Sequence, residues 1–356
     1  MKPKMKEFCR DGHIAFSYLL LQKQFEMNKI KIDHGRDLTM FLSLAVFDIL
    51  DSQEFIEKVR DPIQKQIIRG LKLHYQDMQN IMMLIQCAVI LDFDIQQYIN
   101  IQDLVDQIIS CQLQNGSFQA STEPNSYTDV RDIGLALISL YLLKIRYNIN
   151  IDSLNTVSIQ SYLTSLETPD FFISQSPYSE GHAGGVFLTL ISQEMLQRLG
   201  YKLVYSFNHR RIVNRLVNLQ QFLLAGRPNK PPCLCYHLWS YGSLKLLNQQ
   251  NLLNHESLLN MTLEAQFQVK LPDSVIQQLL QPFQRLEDCN SKQDFYSFLY
   301  ANYKTIFMGF GADQIDPDAL HTFSPLMYLA GQNFTNQKID FATFLTEKKL
   351  KIWQKE

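Results

Sequence analysis

Apolar positions recur along this chain with a helical period almost everywhere. Between Leu38 and Leu50 they fall at 38, 41, 42, 45, 46, 49 and 50, the spacing of one helix face. The same rhythm marks 79–92, 102–113, 130–146, 153–165, 185–199, 210–224, 235–248, 272–286 and 319–330, and alternating strand-like stretches are hard to find. Several of these segments are apolar on more than one face, which predicts helices packed in two layers, not a simple bundle. Polar, Gly-containing turns punctuate them: Gln112-Leu-Gln-Asn-Gly-Ser-Phe118, Gln220-Gln-Phe-Leu-Leu-Ala-Gly226 and Phe307-Met-Gly-Phe-Gly-Ala312, with Gly181-His-Ala-Gly-Gly185 between the first two. Each precedes a helix rich in small and apolar residues. A degenerate repeat of helical hairpins every ~50 residues or more fits a closed or solenoidal α/α array. The last interval is long, and a Pro272-Asp-Ser start signal points to extra helical material over about 251–305. No Pro/Ser-rich linker interrupts the chain, so 1–356 reads as one domain.

Composition narrows the class. Of 356 residues, 46% are apolar and 19% charged, a core-forming balance. The net charge of −2 argues against a general nucleic-acid binder. Phe (23) and Tyr (16) far outnumber Trp (2), enough aromatic surface for a greasy cavity. Six scattered cysteines without a secretory leader point to a reducing compartment. The longest apolar run, 81–91, is interrupted by Gln86 and falls short of the ~20 residues of a membrane span. With no prenylation box at the C-terminus, the expectation is a soluble, cytoplasmic protein.

Candidate chemistry concentrates in Gly226-Arg-Pro-Asn-Lys-Pro-Pro-Cys-Leu-Cys-Tyr-His-Leu-Trp239. Arg227 and Lys230 sit on a stretch stiffened by Pro228 and Pro231, with no acidic residue between Leu223 and Asn254. Uncompensated cations on a stiff loop suit an external anion such as a diphosphate; a solvated loop is the plain alternative. Cys233-x-Cys235 suits a soft metal, or else two small core residues. In Asp316-Pro-Asp-Ala-Leu-His321, Asp318 reads as an N-cap, which puts His321 in a first helical turn. Two thiolates and an imidazole leave a fourth zinc position open, the catalytic pattern. His182 reads as a further donor or as a polar helix-entry residue. Arg131, in Asp129-Val-Arg-Asp132, opens an apolar helix and has a local ion pair as its alternative.

Taken in this order, the residues resemble the β subunit of a protein prenyltransferase, most of all geranylgeranyltransferase type I. The resemblance rests on Gly226-Arg-Pro-Asn-Lys-Pro231 with Cys235-Tyr-x-x-Trp239 and Ser243-Leu-Lys-Leu-Leu247. Glu180-x-His182 with Gly184, Gln114-Asn-Gly-Ser-Phe118, Asp129-Val-Arg131, Pro317-Asp-Ala-Leu-His321 and Asp48-Ile-Leu-Asp-Ser52 add to it. It runs from about 13 to 331, weakly before 110 and through the insertion. It implies an all-α, six-hairpin α/α toroid with a central, aromatic-lined apolar cavity. It implies transfer of a geranylgeranyl group from its diphosphate to the cysteine of a C-terminal CaaX-type motif, and a partner α subunit that adds a lysine. Carried over, Cys235 and His321 are zinc ligands, and His182, Arg227, Lys230 and Tyr236 hold the diphosphate. Trp239 lines the isoprenoid slot, Arg131 lies near the peptide end, and Leu38 and Leu320 are substrate-side residues.

The chain also departs from the family pattern. Cys233 stands where the family has a third ligand, an aspartate; a thiolate keeps the charge, so zinc is expected as Cys2His. The loop Gly309-Phe-Gly-Ala-Asp313 is one residue shorter than in type I relatives and has Ala312 beside Asp313, which leaves magnesium dependence open. Leu38 replaces the slot-closing tryptophan of farnesyl enzymes, which favours a C20 chain. A farnesyl-type or Rab-type subunit and a non-catalytic toroidal scaffold are the alternatives. A terpene cyclase lacks support because no Asp-x-Asp-Asp motif occurs.

Overall fold

The structure, a computed structural model, describes residues 8–26, 35–72, 77–123, 126–204, 207–266, 309–310 and 318–354. In chain order its helices are α1 (Arg10–Glu26), α2 (Gly35–Ile49), α3 (Gln53–Leu71), α4 (Met78–Leu91), α5 (Ile101–Ser110), α6 (Val130–Lys144) and α7 (Thr156–Ser165). There follow α8 (Ala183–Arg198), α9 (His209–Asn218), α10 (Gly242–Leu246), α11 (His255–Glu264), α12 (Ala319–Gly331) and α13 (Glu347–Trp353). A π-helical turn, His237–Tyr241, leads into α10. The helix expected over 272–286 lies outside the described residues, and so does most of the turn at 307–312.

The helices are of two kinds, and sequence decides which. α4 reads Met-Gln-Asn-Ile-Met-Met-Leu-Ile-Gln-Cys-Ala-Val-Ile-Leu, with no charge, and nearly every residue is buried. α6 and α8 are similarly enclosed on all sides. α9, His-Arg-Arg-Ile-Val-Asn-Arg-Leu-Val-Asn, buries only Ile212, Val213 and Leu216, and α5 buries one apolar stripe. Helices apolar all round must sit inside, and amphipathic ones cover them. The packing follows: α2 lies on α4, α4 on α6, α6 on α8, α8 on the π turn and α10, the π turn on α12, and α12 back on α2. The inner ring is closed. α1 backs α2, α3 backs α2 and α4, and α5 backs α6.

A repeat runs through both layers. The outer helices α5, α7, α9 and α11 are each N-capped by an asparagine: Asn100, Asn155, Asn208 and Asn254. The inner helices α4, α6 and α12 are capped by Asp77, Asp129 and Asp318, and α8 by His182. At the entry of successive inner helices a backbone N–H donates to the loop that leads into the next one. Met78 N bonds Ala120 O, Val130 N bonds Gln175 O and Ala183 N bonds Gly226 O. These links gather the N-termini of the inner helices on one rim. The described part of 251–305 continues the repeat: α11 is an ordinary outer helix, and Gln266 after it bridges to Phe310 much as Gln112 bridges to Phe118.

The opposite end of the ring is covered by the C-terminal segment. A two-stranded hairpin, β1 (Ile339–Asp340) and β2 (Leu345–Thr346), leads into α13. Thr346 donates to Asp48 on α2, Gln86 on α4 donates to Thr343 O, and the Trp353 indole donates to Leu142 O on α6. Asp340 pairs with Arg198 of α8, Phe341 packs edge-on against Tyr241, and β1 touches α12. The segment thus reaches every member of the inner ring. The aperiodic stretch between α12 and α13 gave no helical or strand rhythm and was not anticipated as a closing element.

Candidate active site

Four segments meet on the rim where the inner helices begin. His182 caps α8: its Nδ1 accepts from Gly184 N at 3.0 Å, so Nε2 carries the proton of the neutral ring and faces the Tyr236 hydroxyl at 3.3 Å. Burial holds the imidazole below its ordinary pKa and raises the phenol, so at neutral pH both are uncharged donors. Gly226 makes this contact possible. A Cβ there would stand 2.1 Å from the Tyr236 ring and 2.6 Å from His182 Nε2.

The chain after Gly226 turns at once. Pro228 and Asn229 occupy the middle of a β-turn closed by Lys230 N to Arg227 O at 3.4 Å, with Asn229 in the left-handed region at φ 61°. Proline second and asparagine third is the type II signature. The turn brings both cations to one end of the loop. Lys230 is exposed, and among the described residues it has no acidic partner. Arg227 is paired with Glu180, so the expectation of two uncompensated cations is corrected for this one. Its partner comes from the loop one repeat upstream, where inspection of the local sequence did not look.

Cys233, Cys235 and His321 converge. Their ligand atoms all lie within 4.8 Å of one another, with Cys233 Sγ 3.3 Å from both Cys235 Sγ and His321 Nε2. All three are half-buried. Asp318 does two jobs: Oδ1 caps α12 by accepting from His321 N at 2.9 Å, and Oδ2 accepts from His321 Nδ1 at 2.6 Å. Nε2 therefore faces the sulfurs. The hydrogen bond from Cys235, helped by His321, pushes the Cys233 thiol down to about 5, while Cys235 is pushed up by the same contact. Asp318 first, then Cys233, raise His321 to about 10. Two soft sulfur donors and an imidazole nitrogen aimed at them, within 4.8 Å of one another, are a donor set that fits zinc.

The remaining candidates lie on the same rim but make simpler contacts. Arg131 pairs with Asp129 at 3.2 Å and is half-exposed, the local ion pair of its plain reading. Trp239 packs edge-on to Phe187, with ring centroids 5.6 Å apart. Leu38 and Leu320 are half-buried near the starts of α2 and α12, neighbours in the ring. Ala312 and Asp313, on which magnesium turned, lie outside the described residues. A cavity of about 570 Å³ between α3 and α5, lined by Leu71, Tyr98, Ile99, Asp103, Leu104 and Gln107, shares none of these residues.

A family model for the prenyltransferase alpha-alpha toroid domain matches residues 8–345. The chain belongs to this family. A stretch of 106 residues is 28% identical to the geranylgeranyl transferase type-1 subunit beta of Dictyostelium discoideum, covering 30% of this chain and 29% of that protein. Candida albicans protein geranylgeranyltransferase-I complexed with GGPP shares the fold, with a TM-score of 0.63 over 95% of this chain and 98% of that one at 16% identity. The closed inner ring is thus the prenyltransferase toroid. No helix among the described residues is long and apolar enough to cross a membrane.

Proposed function

We propose that this prenyltransferase-family chain is the catalytic β-type subunit of a type I protein geranylgeranyltransferase, moving a geranylgeranyl group from its diphosphate to the thiol of a C-terminal CaaX-type cysteine. One observation carries the reading: two thiols and an imidazole from distant segments meet on the same rim as His182, Tyr236, Arg227 and Lys230. Similarity to a geranylgeranyl transferase type-1 subunit beta and to a geranylgeranyltransferase-I complexed with GGPP supports it.

Cys233, Cys235 and His321 would hold a zinc ion, which would supply the Lewis acidity to lower the pKa of an incoming thiol. The protein's own residues do the rest. Asp318 fixes the His321 tautomer so that Nε2 stays a donor to the metal. His182 directs Nε2–H at the Tyr236 oxygen, which leaves the phenolic O–H to reach outward. That hydroxyl, Arg227 and Lys230 meet the charge that grows on the departing diphosphate. Inner-helix N-termini on this rim add partial positive charge. Trp239 offers an aromatic wall to an isoprenoid, whose burial contributes roughly 0.8 kcal/mol per CH2.

The test is co-expression with the cognate α subunit. About one zinc per complex, lost in Cys233→Ala, and transfer of labelled geranylgeranyl in preference to farnesyl to a CaaX peptide are expected. A zinc-loaded complex without turnover would instead make the toroid a scaffold.

A further inference from the structure

The Glu180–Arg227 pair sets a carboxylate inside what the proposed function treats as an anion site. Glu180 lies two residues before the His182 cap, in the α7–α8 loop folded back on itself by the Ser174–Gly181 bridge. Arg227 opens the type II turn. The two backbones are locked in register by Ala183 N to Gly226 O at 2.9 Å, so the side chains face one another across adjacent loops. The pair is not sealed: the side chains are 60% exposed for Glu180 and 29% for Arg227. A guanidinium held at the rim by one exposed carboxylate can exchange it for another anion at little cost, because such pairs are weak in water.

Charge at the site points the same way. His182 is neutral, Arg227 is balanced by Glu180, and among the described residues of the loop the cation left over is Lys230. Arg227 follows directly on Gly226, whose backbone lies against the Tyr236 ring, so the guanidinium and the phenol belong to the same corner of the rim. A diphosphate arriving at Tyr236 and Arg227 therefore meets a carboxylate already on the cation. The two anions repel if both stay.

We propose that Glu180 is a resident counter-anion for Arg227, exchanged for the diphosphate on binding and restored as inorganic diphosphate leaves. It prevents an over-tight product complex at the expense of resting affinity. This rests on the diphosphate reading of the site. No bond is made or broken; one anion replaces another on the same guanidinium.

Titration calorimetry of the full chain with inorganic diphosphate tests it, using wild type, Glu180→Gln, Arg227→Gln and the double variant. Glu180→Gln keeps size and polarity at an exposed position, so folding is not at stake. Glu180→Gln should bind diphosphate about two- to fivefold more tightly, the range set by the strength of an exposed ion pair. Arg227→Gln should bind more weakly, and adding Glu180→Gln to it should give little further change. Arg227-dependent binding that Glu180→Gln leaves unchanged or weakens overturns the counter-anion role while sparing the diphosphate site. A gain that persists undiminished without Arg227 also overturns it, since the carboxylate would then act only through space. No diphosphate binding by wild type, or binding indifferent to Arg227, overturns both.

Discussion

At single residues, geometry and protonation separate roles that letters alone merge. Asp318 serves a helix and a histidine with different oxygens. Asparagine caps helices about as well as aspartate, but its one oxygen cannot also accept from Nδ1–H. Asp318→Asn is therefore expected to keep the α12 cap but lose the partner of His321 Nδ1, lowering the melting temperature of the metal-free chain near neutral pH while weakening zinc binding by about 10–100-fold, measured by competition with a chelator. Asp132 makes a prediction in pH. Burial first, then the neighbouring Asp129, push its carboxyl up to about 7, against the bonds from Asp129 N and the Arg131 charge. The unfolded chain ionises this group near pH 4. Between about pH 4 and 7 the folded protein holds a proton the unfolded chain has lost, so stability falls as pH rises, and the loss is complete above 7. Asp132→Asn removes the titration. Its melting temperature should gain on wild type as pH rises from 4 to 7 and keep a constant offset above that; a difference flat across the range would contradict the assignment.

At the level of elements, glycines report how closely segments approach, and two of them should respond oppositely. Gly226 has no room, since a Cβ would overlap Tyr236 and His182. Gly226→Ala should lower stability by about 1–3 kcal/mol and break the His182–Tyr236 contact, with diphosphate affinity falling in parallel. Gly134, inside α6, would place a Cβ 3.6 Å from Leu188 O of α8, ordinary contact distance. Gly134→Ala should stabilise by about 0.5–1 kcal/mol in thermal or urea unfolding. The inner helices were legible from sequence because apolar residues surround them on every side, and their ends were found to within a few residues. The outer layer was less so. The rhythm over 210–224 merged α9 with the loop after it, because Leu219, Leu223 and Leu224 are buried in a tight bridge and not on a helix face. Polar, weakly periodic α1 and α11 gave no such signal, and α3 was passed over although Phe55, Ile56, Val59, Ile63, Ile67 and Leu71 share one face. The recurring outer-cap asparagines, Asn100, Asn155, Asn208 and Asn254, would have located α11. The thiols and His321 were legible as metal-binding types at plausible helix starts, but only the packing of the π turn on α12 brings them together. The pairing of Glu180 with Arg227 was not legible because its partner belongs to the next repeat.

For the whole molecule, the rule is that chemistry gathers at one end of the ring and closure at the other. Every inner helix begins on the same rim, so caps, cations and thiols from sequence-distant repeats become neighbours. The far end needs something to shield it, and residues 339–353 do so with contacts to each member of the inner ring. Trp353 is the anchor. It is fully buried, donates to Leu142 O at 2.8 Å, packs edge-on to Tyr147, and carries Arg146 over its ring at 4.8 Å. Arg146 also donates to the Trp353 carbonyl at 3.2 Å and pairs with Asp92 at 3.5 Å, tying α13 to the loop after α4. Replacing Trp353 by alanine leaves a large cavity and an unpaired carbonyl at once, an expected loss of about 3–5 kcal/mol. Trp353→Phe keeps most of the volume and removes the donor, so its smaller loss combines the hydrogen bond with a reduced cavity cost. If the segment is a cap on an otherwise self-sufficient ring, Trp353→Ala should expose local amides of 339–353 to hydrogen exchange while α4 and α6 stay protected. If instead it completes the core, exchange should rise in α4 and α6 together with the segment. The contacts from Gln86, Asp48 and Leu142 into the inner layer, all from buried positions, favour the second outcome.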